Sequence, residues 1–81
     1  MEKGFLLLKP RDRTDANSMA KAISRCKGVK GVFLTSGEFG FVATVETVAE
    51  DGLQNIMYTV KRVTRCIKAN VIVAHHFYKK R

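Results

Sequence analysis

Apolar and polar residues alternate along the chain in blocks that differ in their period. Phe5 to Lys9 is a short, dense apolar run that stops at Pro10, which is typical of a buried strand. After a polar loop, in which Thr14 or Asp15 is the predicted helix cap, apolar residues recur three or four apart, at Ala16, Met19, Ala20 and Ile23. This spacing predicts an amphipathic helix. Gly28 is placed to end it, because glycine adopts the left-handed backbone without steric cost.

The second half of the chain repeats this alternation with a hairpin in front. Val29 to Thr35 and Phe39 to Glu46 are predicted strands, and the tight turn between them is built around Gly37. So short a connection requires an antiparallel hairpin. A second helix is predicted from about Val48 to Thr64, with a core stripe at Leu53, Ile56, Met57, Val60 and Val63. A last strand is predicted over Ala69 to His76.

The order strand, helix, strand, strand, helix, strand predicts a single ferredoxin-like α+β domain over residues 1–81. Right-handed crossovers put both helices on one face of a four-stranded antiparallel βαββαβ sheet. The helices then run antiparallel. Cys26 and Cys66 follow different helices, so they are predicted to lie at opposite ends of the domain and to stay unbonded.

Both faces of this sheet are predicted to be apolar. In the first strand Leu6 and Leu8 oppose Phe5 and Leu7, and the last strand shows the same double pattern. Helices cover only one face, and an exposed apolar face usually marks an interface. A second copy packed sheet to sheet would cover it. The sequence therefore predicts a homodimer, in effect a dimeric α/β sandwich, or a higher homo-oligomer.

The charge balance adds a second class of partner. Fifteen Lys and Arg against seven Asp and Glu give a net charge of +8, which attracts polyanions such as nucleic acid. The predicted anion or nucleic-acid surface is at the end of the second helix, at Lys61, Arg62, Arg65 and Lys68. The chain has no apolar run long enough for a membrane span or a secretory signal, so the predicted compartment is the cytoplasm.

The sequence contains no motif that indicates a catalytic, metal-binding or cofactor-binding site. His75 and His76 are adjacent on a predicted strand and point to opposite faces, so they cannot chelate one ion together. No glycine-rich loop joins a strand to a helix, so nucleotide phosphates have no cradle. We therefore expect a binding module and not an enzyme.

Short motifs in matching order carry a family resemblance. Three motifs resemble the effector-binding (RAM) domain of the Lrp/AsnC transcription regulators. They are Gly28-Val29-Lys30-Gly31-Val32, the turn Thr35-Ser36-Gly37-Glu38-Phe39, and Val45-Glu46 followed by a helix with Leu53. The resemblance is to a stand-alone form, without the helix-turn-helix. It implies rings of dimers that bind a small molecule, often an amino acid, where subunits meet, and that tune transcription with full-length Lrp/AsnC regulators. The binding residues it implies are Thr35, Ser36, Gly37, Glu38 and Gly40.

One of these positions departs from the family pattern. Gly40 stands where the family commonly has an aspartate that pairs with a ligand's amino group. A buried ammonium without a counter-charge is costly, so the sequence leaves the ligand's class open. Glu38 is the alternative carboxylate.

RNA binding is the rival interpretation. The RNA-recognition motif has the same strand order and stacks bases on aromatics of its first and third strands. Phe5, Phe39 and Phe41 resemble those aromatics, and the +8 charge suits RNA. The alternative function is therefore an RNA-binding protein that uses these three side chains.

Overall fold

The computed structural model describes residues 2–11, 16–37, 39–48 and 52–74, and it shows the predicted order of elements. The elements are β1 (Glu2–Lys9), α1 (Ala16–Ser24), β2 (Val29–Leu34), β3 (Phe41–Thr47), α2 (Gly52–Thr64) and β4 (Lys68–Ala74). The strands form one antiparallel sheet in the order β2-β3-β1-β4. The ferredoxin-like α+β fold is confirmed.

Element boundaries differ from the prediction where local hydrogen bonds decide them. β1 begins at Glu2 and not at Phe5, because Lys3 and Gly4 already pair with both neighbouring strands. α1 ends at Ser24, ahead of Gly28, although Gly28 does adopt a positive φ of 92°. The predicted caps Thr14 and Asp15, and the strand residues His75 and His76, lie outside the described residues.

The core lies between the helices and one face of the sheet. β1 and β3 contribute alternate residues, and the helices add most of the apolar stripes that their periodicity predicts. Two predicted stripe residues, Ala16 in the first turn of α1 and Val63 in the last turn of α2, are exposed, because the ends of the helices extend past the sheet-facing core. The fully enclosed members are Leu6, Leu8, Ile23, Ala43, Val45 and Val60. Apolar burial of this kind supplies the main favourable term in folding, about 25 cal/mol per Å² of buried apolar surface.

The two cysteines sit at opposite ends of this core, as predicted. Cys66 precedes Ile67, whose amide donates to the Lys9 carbonyl at the end of β1. Cys26 precedes Gly28, whose carbonyl accepts from the amide of Glu46, beside the start of β1. Both thiols are free.

Candidate functional site

The β2–β3 turn, which carries the predicted ligand residues, is closed by Thr35. The Thr35 amide donates to the Gly40 carbonyl over 3.0 Å, and the Thr35 hydroxyl donates to the Phe39 carbonyl. Gly37 has φ 112°, and apart from its chain neighbours no described residue lies within 4 Å of where a Cβ would stand. Glycine adopts this left-handed backbone without the steric cost that other residues meet. Among the described residues of the turn, Ser36 and Gly37 are exposed, and Glu38 lies outside the described residues.

The base of the turn is fastened to the end of β1. The Gly40 amide donates to the Leu8 carbonyl over 3.0 Å. A Cβ on Gly40 would stand 3.1 Å from Cδ of Pro10, closer than ordinary van der Waals contact. Glycine at position 40 therefore suits this packing, because a larger residue would require Pro10 to shift by a few tenths of an ångström.

The turn also meets the basic segment between α2 and β4. The Lys68 ammonium lies 5.5 Å from the centre of the Phe39 ring, within cation–π range. Lys68 stands directly opposite Lys9 in the β1–β4 register. No local pattern in the sequence indicates that the predicted ligand turn and the predicted anion surface adjoin, and the structure brings them to one end of the sheet.

The remaining basic residues of that surface follow α2 to its end. Lys61 and Arg62 occupy its last turn, where cations favour the helix dipole. Arg65 ends the helix in the left-handed region, at φ 54°. Just before it, the Thr64 hydroxyl donates a hydrogen bond to the Val60 carbonyl over 2.7 Å. The whole predicted cluster thus lies at the turn's end of the domain.

The sheet face away from the helices is apolar at its centre. Phe5 stands between Thr44 and Ile72, and in the adjacent row Leu7 stands between Val42 and Asn70. Phe5 is 41% exposed and Ile72 49% exposed. The double apolar pattern read from β1 and β4 is therefore confirmed.

The open face also includes an aromatic residue that simple alternation does not place. Phe33 pairs with Val42 and is 60% exposed. Strict alternation would put it on the same face as Val29, but the β2–β3 register shifts between Val29 and Gly31. Such a bulge turns the rest of the strand over. A glycine inside the strand was the one available signal.

The three aromatics of the RNA interpretation do not share a surface. Phe41 is only 3% exposed and lies in the core beneath the helices, whereas Phe5 is on the open face. Phe39 precedes β3 and lies beside Lys68. The prediction that Phe5, Phe39 and Phe41 stack bases together is therefore wrong, because neighbouring bases stack on aromatic side chains that share one face.

A cleft of about 510 Å³ opens at the other end of the domain, between the α1–β2 connection and the start of α2. It is lined by Lys27 and Lys30 and also by Glu46, which pairs with Lys3 over 3.5 Å. Among the described residues, His, Cys, Asp and Glu form no group of three able to hold a metal ion. Neither α1 nor α2 combines the length and apolar character needed to cross a bilayer.

Solved structures resemble the chain over nearly its whole length. The leucine response regulatory protein of Mycobacterium tuberculosis matches at TM-score 0.80 and 15% identity, over 99% of this chain and 55% of that one. A feast or famine regulatory protein of the same organism, complexed with L-methionine, matches at 0.80 and 15%, over 100% and 55%. A Thermus thermophilus protein matches at 0.78 and 20%, over 99% and 100%.

These likenesses establish the fold. The chain spans about half the length of the two Mycobacterium regulators and the full length of the Thermus protein. No protein-family model and no curated protein matches the sequence.

Proposed function

We propose that this chain, which has the fold found in Lrp/AsnC-type regulators, is an effector-binding and oligomerisation module of that type. It assembles with copies of itself through the open face of the sheet and binds a small molecule beside the β2–β3 turn. The main observation in support of this proposal is the structural similarity, over the whole chain, to solved regulators, one of which is complexed with L-methionine. Through shared assembly with full-length Lrp/AsnC regulators it tunes transcription in the cytoplasm.

The open sheet face supports self-assembly. Phe5, Phe33 and Ile72 are each at least two-fifths exposed and stand in adjacent rows around Leu7 and Val42. Large exposed apolar patches on soluble proteins mark interaction sites. A second copy related by a twofold axis presents the same patch and so covers it with a matching surface. A standard interface buries about 800 Å² per partner, which is within reach of a four-stranded face.

Sedimentation velocity of two matched variants tests this assembly. Ile72→Lys places a charge in the open face, whereas Val63→Lys places one on α2 at a similar exposure, 52% against 49%. We expect the parent and Val63→Lys to sediment as a dimer or an even multiple, and Ile72→Lys as a monomer. A parent chain that is monomeric at micromolar concentration would contradict the proposal.

The turn supports ligand binding because it is open, polar and anchored. Its tip has free space at Gly37 and a hydroxyl at the exposed Ser36, while its base is held by Thr35 and Gly40. A thermal-shift screen of amino acids and related metabolites tests it, since a ligand that binds only the folded state raises the melting temperature.

The screen has a matched pair of serine variants. Ser36→Ala removes the turn hydroxyl, whereas Ser24→Ala removes one at the far end of α1 that donates to the Lys21 carbonyl. We expect the ligand-induced shift to shrink in Ser36→Ala and to persist in Ser24→Ala. Equal shifts in both would place the ligand elsewhere.

A further inference from the structure

We propose that the helical layer of this domain binds the phosphate backbone of duplex DNA without regard to sequence. The helical layer consists of α1 and α2 together with the short connections that follow them, residues 25–28 and 65–67. It lies on the side of the sheet opposite the open face, so a second copy packed on that face leaves it accessible. The proposal therefore adds a partner that neither the effector site nor the self-association surface requires.

The helical layer carries cations and no acid. Residues 16–28 and 52–67 contain neither Asp nor Glu. The two acidic residues that the structure describes, Glu2 and Glu46, belong to strands β1 and β3. The layer exposes six cations, which are Lys21, Arg25, Lys27, Lys61, Arg62 and Arg65. The helices therefore form a positive surface on one side of the domain.

These cations lack internal counter-charges. In the part of the chain that the structure describes, none of the six side chains forms an ion pair. A small anion would engage one or two of them, whereas a DNA duplex carries one charge per about 1.7 Å of its axis and can engage them all. Neutralising phosphates also releases condensed counterions, which is the main source of sequence-independent affinity. A polyanion therefore fits this surface better than a small anion does.

The cations form two groups at opposite ends of the layer. α1 ends before Gly28, whose carbonyl accepts a hydrogen bond from Glu46, and Glu46 is opposite Lys3 at the start of β1. α2 ends before Ile67, whose amide donates to Lys9 at the end of β1. The helices pack side by side. With a rise of 1.5 Å per residue and axes 8–10 Å apart, the groups are on the order of 10–15 Å apart.

That separation matches a groove of B-form DNA. The major groove is about 12 Å wide and is bordered by the two phosphate strands. The group after α1 can therefore contact one strand while the group at the end of α2 contacts the other. In A-form RNA the major groove is narrow, so its phosphate strands do not suit the same spacing.

The side chains between the two groups favour a duplex over a single strand. Gln54, Asn55 and Tyr58 are exposed on α2, and their amide and hydroxyl groups can donate to phosphate oxygens. Tyr58, which is 62% exposed, is the only aromatic residue in α1 and α2. Proteins that hold single strands stack successive bases on several aromatic side chains. The helical layer has no such series.

Fluorescence anisotropy of the full chain with a labelled DNA duplex of about two helical turns tests the proposal. If four phosphates are neutralised, the affinity should fall about a hundredfold between 50 and 200 mM salt. Duplexes of unrelated sequence should bind equally, and the single strand and the RNA duplex of the same sequence severalfold more weakly. Absence of duplex binding at 50 mM salt, an affinity independent of salt, a strong preference for one sequence, or equal or tighter binding of either competitor would overturn the proposal.

Variants that each remove one charge locate the contact. Lys21→Gln on α1 and Arg62→Gln on α2 should each weaken duplex binding and lower the salt slope by about one. Lys9→Gln is the control, because alternation along β1 puts Lys9 on the open face with Phe5 and Leu7. It removes the same charge and should leave the slope unchanged. An equal loss in Lys9→Gln would mean a diffuse response to net charge and would also overturn the proposal.

Discussion

Gly28 lies against Ile56 so closely that a Cβ on the glycine would stand 2.4 Å from Cδ1 of the isoleucine. The contact joins the α1–β2 connection to the core stripe of α2, and Gly28 holds it at φ 92°. Two requirements therefore meet at one residue: a left-handed backbone and the absence of a side chain.

Gly28→Ala should lower the free energy of unfolding by about 3 kcal/mol, from left-handed strain and overpacking together. Gly37→Ala is the control, because its φ is also positive but, chain neighbours aside, none of the described residues lies within 4 Å of the added Cβ. It should cost about 1–2 kcal/mol. Urea denaturation measures both. Adding Ile56→Val to Gly28→Ala should recover part of the loss; equal costs in the two glycine variants would show that the contact with Ile56 does not matter.

Truncation of Phe41 should lower the stability of the subunit, whereas truncation of Phe5 should weaken self-association. Phe41→Ala opens a cavity in the core and should cost about 3–5 kcal/mol of stability. Phe5→Ala should change the stability of the isolated subunit much less, because its ring is 41% exposed, but should weaken self-association. Denaturation and sedimentation, run on the same samples, separate these effects. A Phe5→Ala variant with unchanged association would place the interface elsewhere.

Arg65→Gly should stabilise the domain. Arg65 ends α2 at φ 54°, a backbone region that glycine occupies with far less strain. The expected gain is about 0.5–1 kcal/mol, seen as a higher melting temperature. Lys61→Gly, inside the last turn of the same helix, is the reverse control and should cost about 1 kcal/mol. A destabilised Arg65→Gly would show that the arginine side chain contributes more than its backbone costs.

Stability should fall in alkaline solution through Cys26. Burial raises the pKa of the Cys26 thiol above its ordinary value of 9.0. Above that value the unfolded chain loses the proton while the folded chain still holds it, so stability declines as pH rises through the folded pKa. Below pH 9 the contribution is complete. The urea midpoint of the parent, compared with that of Cys26→Ala from pH 8 upward, should show the extra decline in the parent alone; parallel curves would contradict it.

Periodicity was enough to predict the fold because its two signals are local. The three-to-four spacing of Met19, Ala20 and Ile23 and the alternation of Leu6 and Leu8 each report one buried surface. The facing of Phe33 could not be predicted this way, since it depends on a register shift against β3. Periodicity cannot predict a β-bulge, in which one strand has an extra residue opposite its neighbour.

The candidate site was predicted in pieces, and its assembly was not. The turn at Thr35–Gly40 and the basic residues after α2 were each read from local sequence. Their meeting depends on the pairing of Lys9 with Lys68, and on the contact of Gly40 with Pro10, which join segments far apart in the chain. The departure at Gly40 looked like a missing ligand group in the sequence, and the structure gives it a packing reason.

The central position of β1 has a consequence for how the protein is made. Within this domain, residues 2–9 are synthesised before the rest, yet one of their two neighbours in the sheet, residues 68–74, follows more than fifty residues later. Until then the nascent chain holds an apolar strand with one side unpaired, and no stable intermediate short of β4 can complete the sheet. Folding of this domain therefore waits for the synthesis of β4, and any chaperone that shelters the nascent domain would act on β1.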